Sequence, residues 1–161
     1  MRKTAEIISL AALAVLALIT INVFYGPHPL PARVPTHFDA AGRVNGWGSP
    51  ASLLLLPVVA AGLYLLLTVI ARFPAAFNYP VKVTEINRAQ LEYLTLNLLA
   101  WIKAEMLVFF AGIDFLIIQA ARNPERGFQP FPIYIFLGVL GVTIIGHMVP
   151  MFRAGSPRPQ A

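Results

Sequence analysis

The chain has 161 residues, 58% of them hydrophobic and 12% charged, with a formal net charge of +5 and no cysteine. Soluble domains carry about a quarter charged residues, so this composition excludes an ordinary water-soluble monomer. Lacking cysteine, the chain has neither a disulfide framework nor a thiolate metal site, and packing alone must hold it together. Its basic residues sit at the edges of apolar runs rather than in a patch, which points to membrane topology and not to nucleic acid. No repeat or low-complexity segment divides it, so residues 1–161 are read as a single membrane domain.

Four apolar runs follow one another. Ile7 to Phe24 comes after Arg2 and Lys3, as a signal peptide would, but Asn22, Val23, Phe24 and Tyr25 are too large for a small-residue cleavage site. An uncleaved first helix over about residues 6–25 is expected. Ala51 to Ala71 is free of charge and long enough to cross a hydrocarbon core of about 30 Å. Ser49 is placed to cap it and Pro50 to occupy its first turn, while Pro57 predicts a kink. Thr84 to Arg122 reads as one helix, its early turns at the membrane surface and residues 94–121 apolar, ended by Asn123-Pro124. Phe131 to Phe152 is the fourth span. The expected fold is therefore all-α and integral to the membrane: a four-helix transmembrane bundle.

An even number of spans puts both termini on one side. Arg2, Lys3, Arg72, Lys82, Arg88, Arg153 and Arg158 lie there, against Arg33, Arg43, Arg122 and Arg126 opposite. Positive charge favours the cytoplasmic face, so the termini are expected inside and the loop of residues 26–50 outside.

That loop is dense in turn-forming residues: Gly26-Pro27-His28-Pro29-Leu30-Pro31, Val34-Pro35-Thr36-His37-Phe38-Asp39 and Gly42-Arg43-Val44-Asn45-Gly46-Trp47-Gly48-Ser49. Such spacing predicts an ordered segment, with Val34 to Phe38 as a short strand and Asn45-Gly46 as a turn. Trp47 suits the headgroup boundary, and Asp39 suits a turn. His28, His37 and Asp39 form a chemically competent but unspecific metal set; satisfying backbone groups is the plainer role for them.

Lys103, Glu105 and Asp114 lie inside the third span, where an ionisable group costs about 2.5–3.5 kcal/mol near the centre. Helical geometry puts Lys103 and Asp114 on one stripe about 16 Å apart, too far to pair. Glu105 points away from Lys103, which requires either enclosure by neighbours or a shallow position with snorkelling. By depth, Glu6, Lys103, Glu105 and His147 could gather in the inner half, with Asp114 near Asn22. Interhelical hydrogen bonding is the plain reading, and a proton or ion path is the functional one. His147 has no second histidine at matching depth for a haem, and phosphate-loop, nucleophile-elbow and His-Glu-x-x-His motifs are absent from the sequence. No cofactor is expected.

The stretch from Leu30-Pro31 through Val34-Pro35-Thr36-His37-Phe38 to Gly42-Arg43-Val44-Asn45-Gly46-Trp47-Gly48-Ser49 resembles the signature of a bacterial membrane family, domain of unknown function 1648. The domain also forms the N-terminal part of SdpI-type immunity proteins. The resemblance covers about residues 15–70, and Phe77 to Met106 is similar to short members of the family. It departs from the pattern at Asn45, where an acidic residue is frequent, and at Pro50, where a lysine is. It implies a helical protein of the cytoplasmic membrane and cell envelope, with the loop as its hallmark, and no particular reaction. SdpI-type proteins, which are associated with immunity to a secreted peptide toxin and with holding a transcription regulator at the membrane, have further spans.

The expected function is non-enzymatic recognition through the loop, for immunity or signalling, using Pro35, His37, Phe38, Asp39, Gly42, Asn45, Trp47 and Gly48. The partner would be a peptide, a lipid headgroup or another membrane protein, and not nucleic acid. Two alternatives are a small proton- or ion-coupled transporter using Asp114, Lys103 and Glu105, and a metal-dependent enzyme using His28, His37 and Asp39. The sequence names no ligand and no oligomeric state.

Overall fold

The computed structural model describes residues 2–156. The chain runs through α1 (Arg2–Tyr25), a hairpin of β1 (Val34–Phe38) and β2 (Val44–Gly48), a 3-10 segment (Pro50–Leu54), α2 (Leu55–Ile70), α3 (Arg88–Arg122) and α4 (Phe131–Gly155). Short 3-10 turns at Pro74–Ala76 and Pro124–Arg126 lie in the remaining connections. Among the described residues, four helices are long and apolar enough to cross a membrane, with Pro50–Ile70 counted as one. Arg158, counted above on the terminal side, lies outside the described residues.

α3 is the central post, packing against α1, α2 and α4. Its buried alanines, Ala100, Ala104, Ala111, Ala120 and Ala121, let neighbouring backbones come close, as small residues do between packed apolar helices. Three apolar clusters run along the seam with α1. Ala5 meets Ala100 and Ala104; Ala12 and Leu16 meet Leu107, Ala111 and Ala60 of α2; Val23 and Val34 meet Ile118, Ala121 and Leu53. The parallel progression of these pairs means that α1 and α3 run in the same direction, with the hairpin at their C-terminal ends. α4 rests on α3 through stacked Phe109 and Phe136 rings, 4.2 Å between centroids, and leaves most of its surface open. The bundle is lopsided, so one flank of α3 is only thinly covered.

Several local expectations change. Regular helix in α3 begins at Arg88, not Thr84, and is preceded by a single turn in which the Arg88 amide donates to the Thr84 carbonyl and Thr84 and Asn87 pair as in a capping box. The Thr84 amide donates to Asn87 Oδ1 (2.7 Å), and the Asn87 amide donates to Thr84 Oγ1 (3.3 Å). Asn87 Nδ2 then donates to the carbonyls of Lys82 and Ala154, tying the start of α3 to the end of α4. Ser49 occupies the predicted cap position, but its side chain caps nothing; its carbonyl takes the amide and hydroxyl of Ser52. At Pro57 the helix has already changed from 3-10 to α, at Leu55. Pro57 is the third residue of α2, where first-turn amides lack an intrahelical partner in any case. Asn123 ends α3 as expected.

Candidate functional site: the docked hairpin and the polar groups of α3

The loop is ordered by its own side chains. β1 and β2 pair antiparallel, with Val34 opposite Gly48, Pro35 opposite Trp47, His37 opposite Gly46 and Phe38 opposite Val44. The reversal lies at Asp39 to Arg43, which corrects the expectation of a turn at Asn45-Gly46; those two residues are inside β2. Asp39 Oδ1 accepts from the amides of Ala41 and Arg43, both at 2.9 Å, and Oδ2 accepts from Arg43 Nε at 2.8 Å. This Asx-type turn outcompetes the Asn-Gly signal because one carboxylate organises the whole loop. The hydrogen bonds from the Arg43 backbone and then from its side chain hold the Asp39 carboxyl below the usual carboxylate range.

Gly42 and Gly46 are needed for close approach. Gly42 has φ +77°, and a Cβ there would lie 1.9 Å from the carbonyl oxygen of Phe128. A Cβ on Gly46 would lie 2.8 Å from that of His37. With glycine at residue 42 the hairpin docks on the α3–α4 connection: the Phe128 amide donates to the Gly42 carbonyl at 2.8 Å, and the Phe38 and Phe128 rings lie 4.9 Å apart. Between hairpin and connection is a cleft of about 340 Å³, bordered by Arg43, Val44, Trp47, Glu125, Phe128 and Gln129. Arg43 and Trp47 are exposed there.

The weak metal set is not assembled. Among the described residues no three His, Asp or Glu side chains gather as metal ligands. His37 Nδ1 is engaged with Asn45 Oδ1, the His28 carbonyl accepts from Arg122, and Asp39 is committed to its turn.

In α3, Lys103 and Asp114 share one stripe, as their spacing implies, and both are buried, with Lys103 facing α1 and α2. Glu6, Lys103, Glu105 and His147 do not gather as one cluster; they split between two faces. Lys103 Nζ donates to both oxygens of Glu6 at 2.8 Å and to Thr68 Oγ1 at 3.0 Å, 4.6 Å from the centre of the Tyr64 ring. Glu105 faces α4 and accepts from the Thr143 hydroxyl, and His147 Nδ1 is bonded to the Thr143 carbonyl at 2.9 Å. Glu105 is half-buried against α4. Asp114 Oδ1 has no hydrogen-bond partner among the described residues, so no bond joins it to Asn22.

Sequence reasoning gave no role to Tyr64, Thr68, Thr143, Glu125 or Phe128. Tyr64 and Thr68 stand one helical turn apart in an otherwise apolar run, the available signal for a polar partner to Lys103. Phe128 between two spans had no comparable signal, because its hydrogen bond crosses 86 positions of sequence to Gly42.

Over 144 residues, 81% of this chain and 77% of the relative, the sequence is 28% identical to an uncharacterized protein of Archaeoglobus fulgidus. No solved structure matches. Residues 12–61, from the middle of α1 through the hairpin into α2, match the model of the family described as domain of unknown function (DUF1648).

Proposed function

We propose that this protein is a non-enzymatic, multi-pass component of the bacterial cell envelope that recognises a peptide or membrane partner with its hairpin. It sits in the cytoplasmic membrane with both termini inside and forms a single membrane domain. Support for this orientation comes from the excess of lysine and arginine on the terminal side. The observation that carries the reading is the docked hairpin, which presents Trp47 and Arg43 beside Glu125 on a braced platform. A rigid platform lowers the ordering cost of recognition, and tryptophan and arginine are enriched among residues that dominate binding energy. Protection against a peptide, by analogy with the immunity proteins named above, is the biological role tested first.

Cells lacking the protein are challenged with peptide toxins and antimicrobial peptides, then complemented with wild type, Trp47→Ala or His37→Ala at matched membrane levels. Loss should sensitise the cells, and the variants should fail to restore resistance. Full rescue by both variants would refute the reading. Asp114, buried and with its Oδ1 unpartnered among the described residues, favours a second reading as a proton- or ion-coupled transporter. In that case Asp114→Asn abolishes pH-gradient-driven flux in vesicles without lowering folded yield.

A further inference from the structure

The thinly covered flank of α3 contains a second site, unrelated to the hairpin. Between α3 and α4, with Ile8 of α1 at its edge, runs a groove of about 310 Å³ lined by Trp101, Glu105, Phe109, Gly112, Phe136 and Val139 among others. Its walls are almost wholly apolar and aromatic, yet it contains one carboxyl group. Glu105 Oε1 takes the Thr143 hydroxyl, whereas Oε2 is buried and has no hydrogen-bond partner among the described residues. The basic group nearest in sequence, Lys103, is engaged on the opposite face by Glu6 and Thr68. An acidic group near mid-membrane is neutralised by a proton or by a cation. The groove offers a cation two things that a bare carboxyl does not: aromatic faces, which attract positive charge, and apolar walls for its substituents.

We propose that this groove binds a lipophilic organic cation, with Glu105 as the counter-ion and Trp101, Phe109 and Phe136 as its aromatic walls. Such a ligand partitions into hydrocarbon, so it reaches a mid-membrane groove from the lipid side. A lipid acyl chain would use the walls but leave Oε2 unanswered, which is why the occupant is assigned a charge. Gly112 borders open space in the groove, where a Cβ would meet nothing within 4 Å, so a large side chain placed there can fill it.

The test uses full-length protein in detergent, with tetraphenylphosphonium as the cation and tetraphenylborate, of the same shape and opposite charge, as its control; binding is followed by calorimetry. Wild type should bind the phosphonium and not the borate. Glu105→Gln should weaken phosphonium binding by roughly tenfold or more, the least expected from losing one charged contact. Gly112→Leu should block the groove while leaving the charge in place, and it decides the matter if Glu105→Gln fails to fold. Equal binding of the two ions, no phosphonium binding by wild type, or undiminished binding by either folded variant would overturn the proposal.

Discussion

Gly42→Ala probes the joint on which the hairpin platform depends. Alanine at φ +77° enters the left-handed region, at a cost of about 1–2 kcal/mol for a residue with a Cβ. The new methyl would also sit 1.9 Å from the Phe128 carbonyl oxygen, a backbone atom that cannot rotate away. Relief requires the hairpin and the α3–α4 connection to separate, which removes the Phe128-to-Gly42 hydrogen bond, about 1 kcal/mol, and loosens the Phe38–Phe128 ring pair, about 0.5–1.5 kcal/mol. Together these destabilise the docked state by roughly 3–4 kcal/mol, or about two to three orders of magnitude in the opening equilibrium. Amide exchange at Phe128 reads that opening directly and should speed up by this factor. Gly62→Ala is the control, because a Cβ there meets nothing within 4 Å and alanine favours the helix. Unchanged exchange at Phe128 in Gly42→Ala would refute the docking argument.

Glu6→Gln takes the counter-charge from the Lys103 ammonium, only 3% exposed, and leaves it the neutral amide oxygen, the Thr68 hydroxyl and the Tyr64 ring. Breaking such a pair should cost up to roughly 3 kcal/mol, Glu6 being partly exposed, and the double variant Glu6→Gln/Lys103→Met should recover much of it. Strictly additive unfolding energies in detergent would show that the two side chains are uncoupled. Because Asp39 is more acidic folded than unfolded, its contribution to the turn is present above the unfolded value of 3.8 and is lost as pH falls through the lower folded value. Exchange at the Ala41 and Arg43 amides, corrected for its intrinsic pH dependence, should therefore rise only in acid. Asp39→Asn should remove that acid step, and an identical pH profile in the variant would exclude the Asp39 turn as its source.

The four helices long and apolar enough to cross a membrane were legible in the sequence because a long apolar run has few other stable solutions; β1 was legible as a short strand and Asp39 in its turn chemistry. That Lys103 and Asp114 share one stripe followed from helical periodicity, whereas the burial of that stripe did not. Pairing did not follow. Lys103 is bonded to Glu6 across 97 positions, and Glu105 to Thr143 across 38, so depth alone could not separate the polar residues into two faces. Likewise, local signals allowed a turn at Asn45-Gly46, and only the competing hydrogen bonds of Asp39 and the seating of Gly42 on Phe128 set it four residues earlier. The sequence by itself determined which segments form long apolar helices, since that depends on each segment's own composition. Which polar groups meet, where the hairpin rests and which flank of α3 stays open depend on helix order and rotation, and only the tertiary structure decided them.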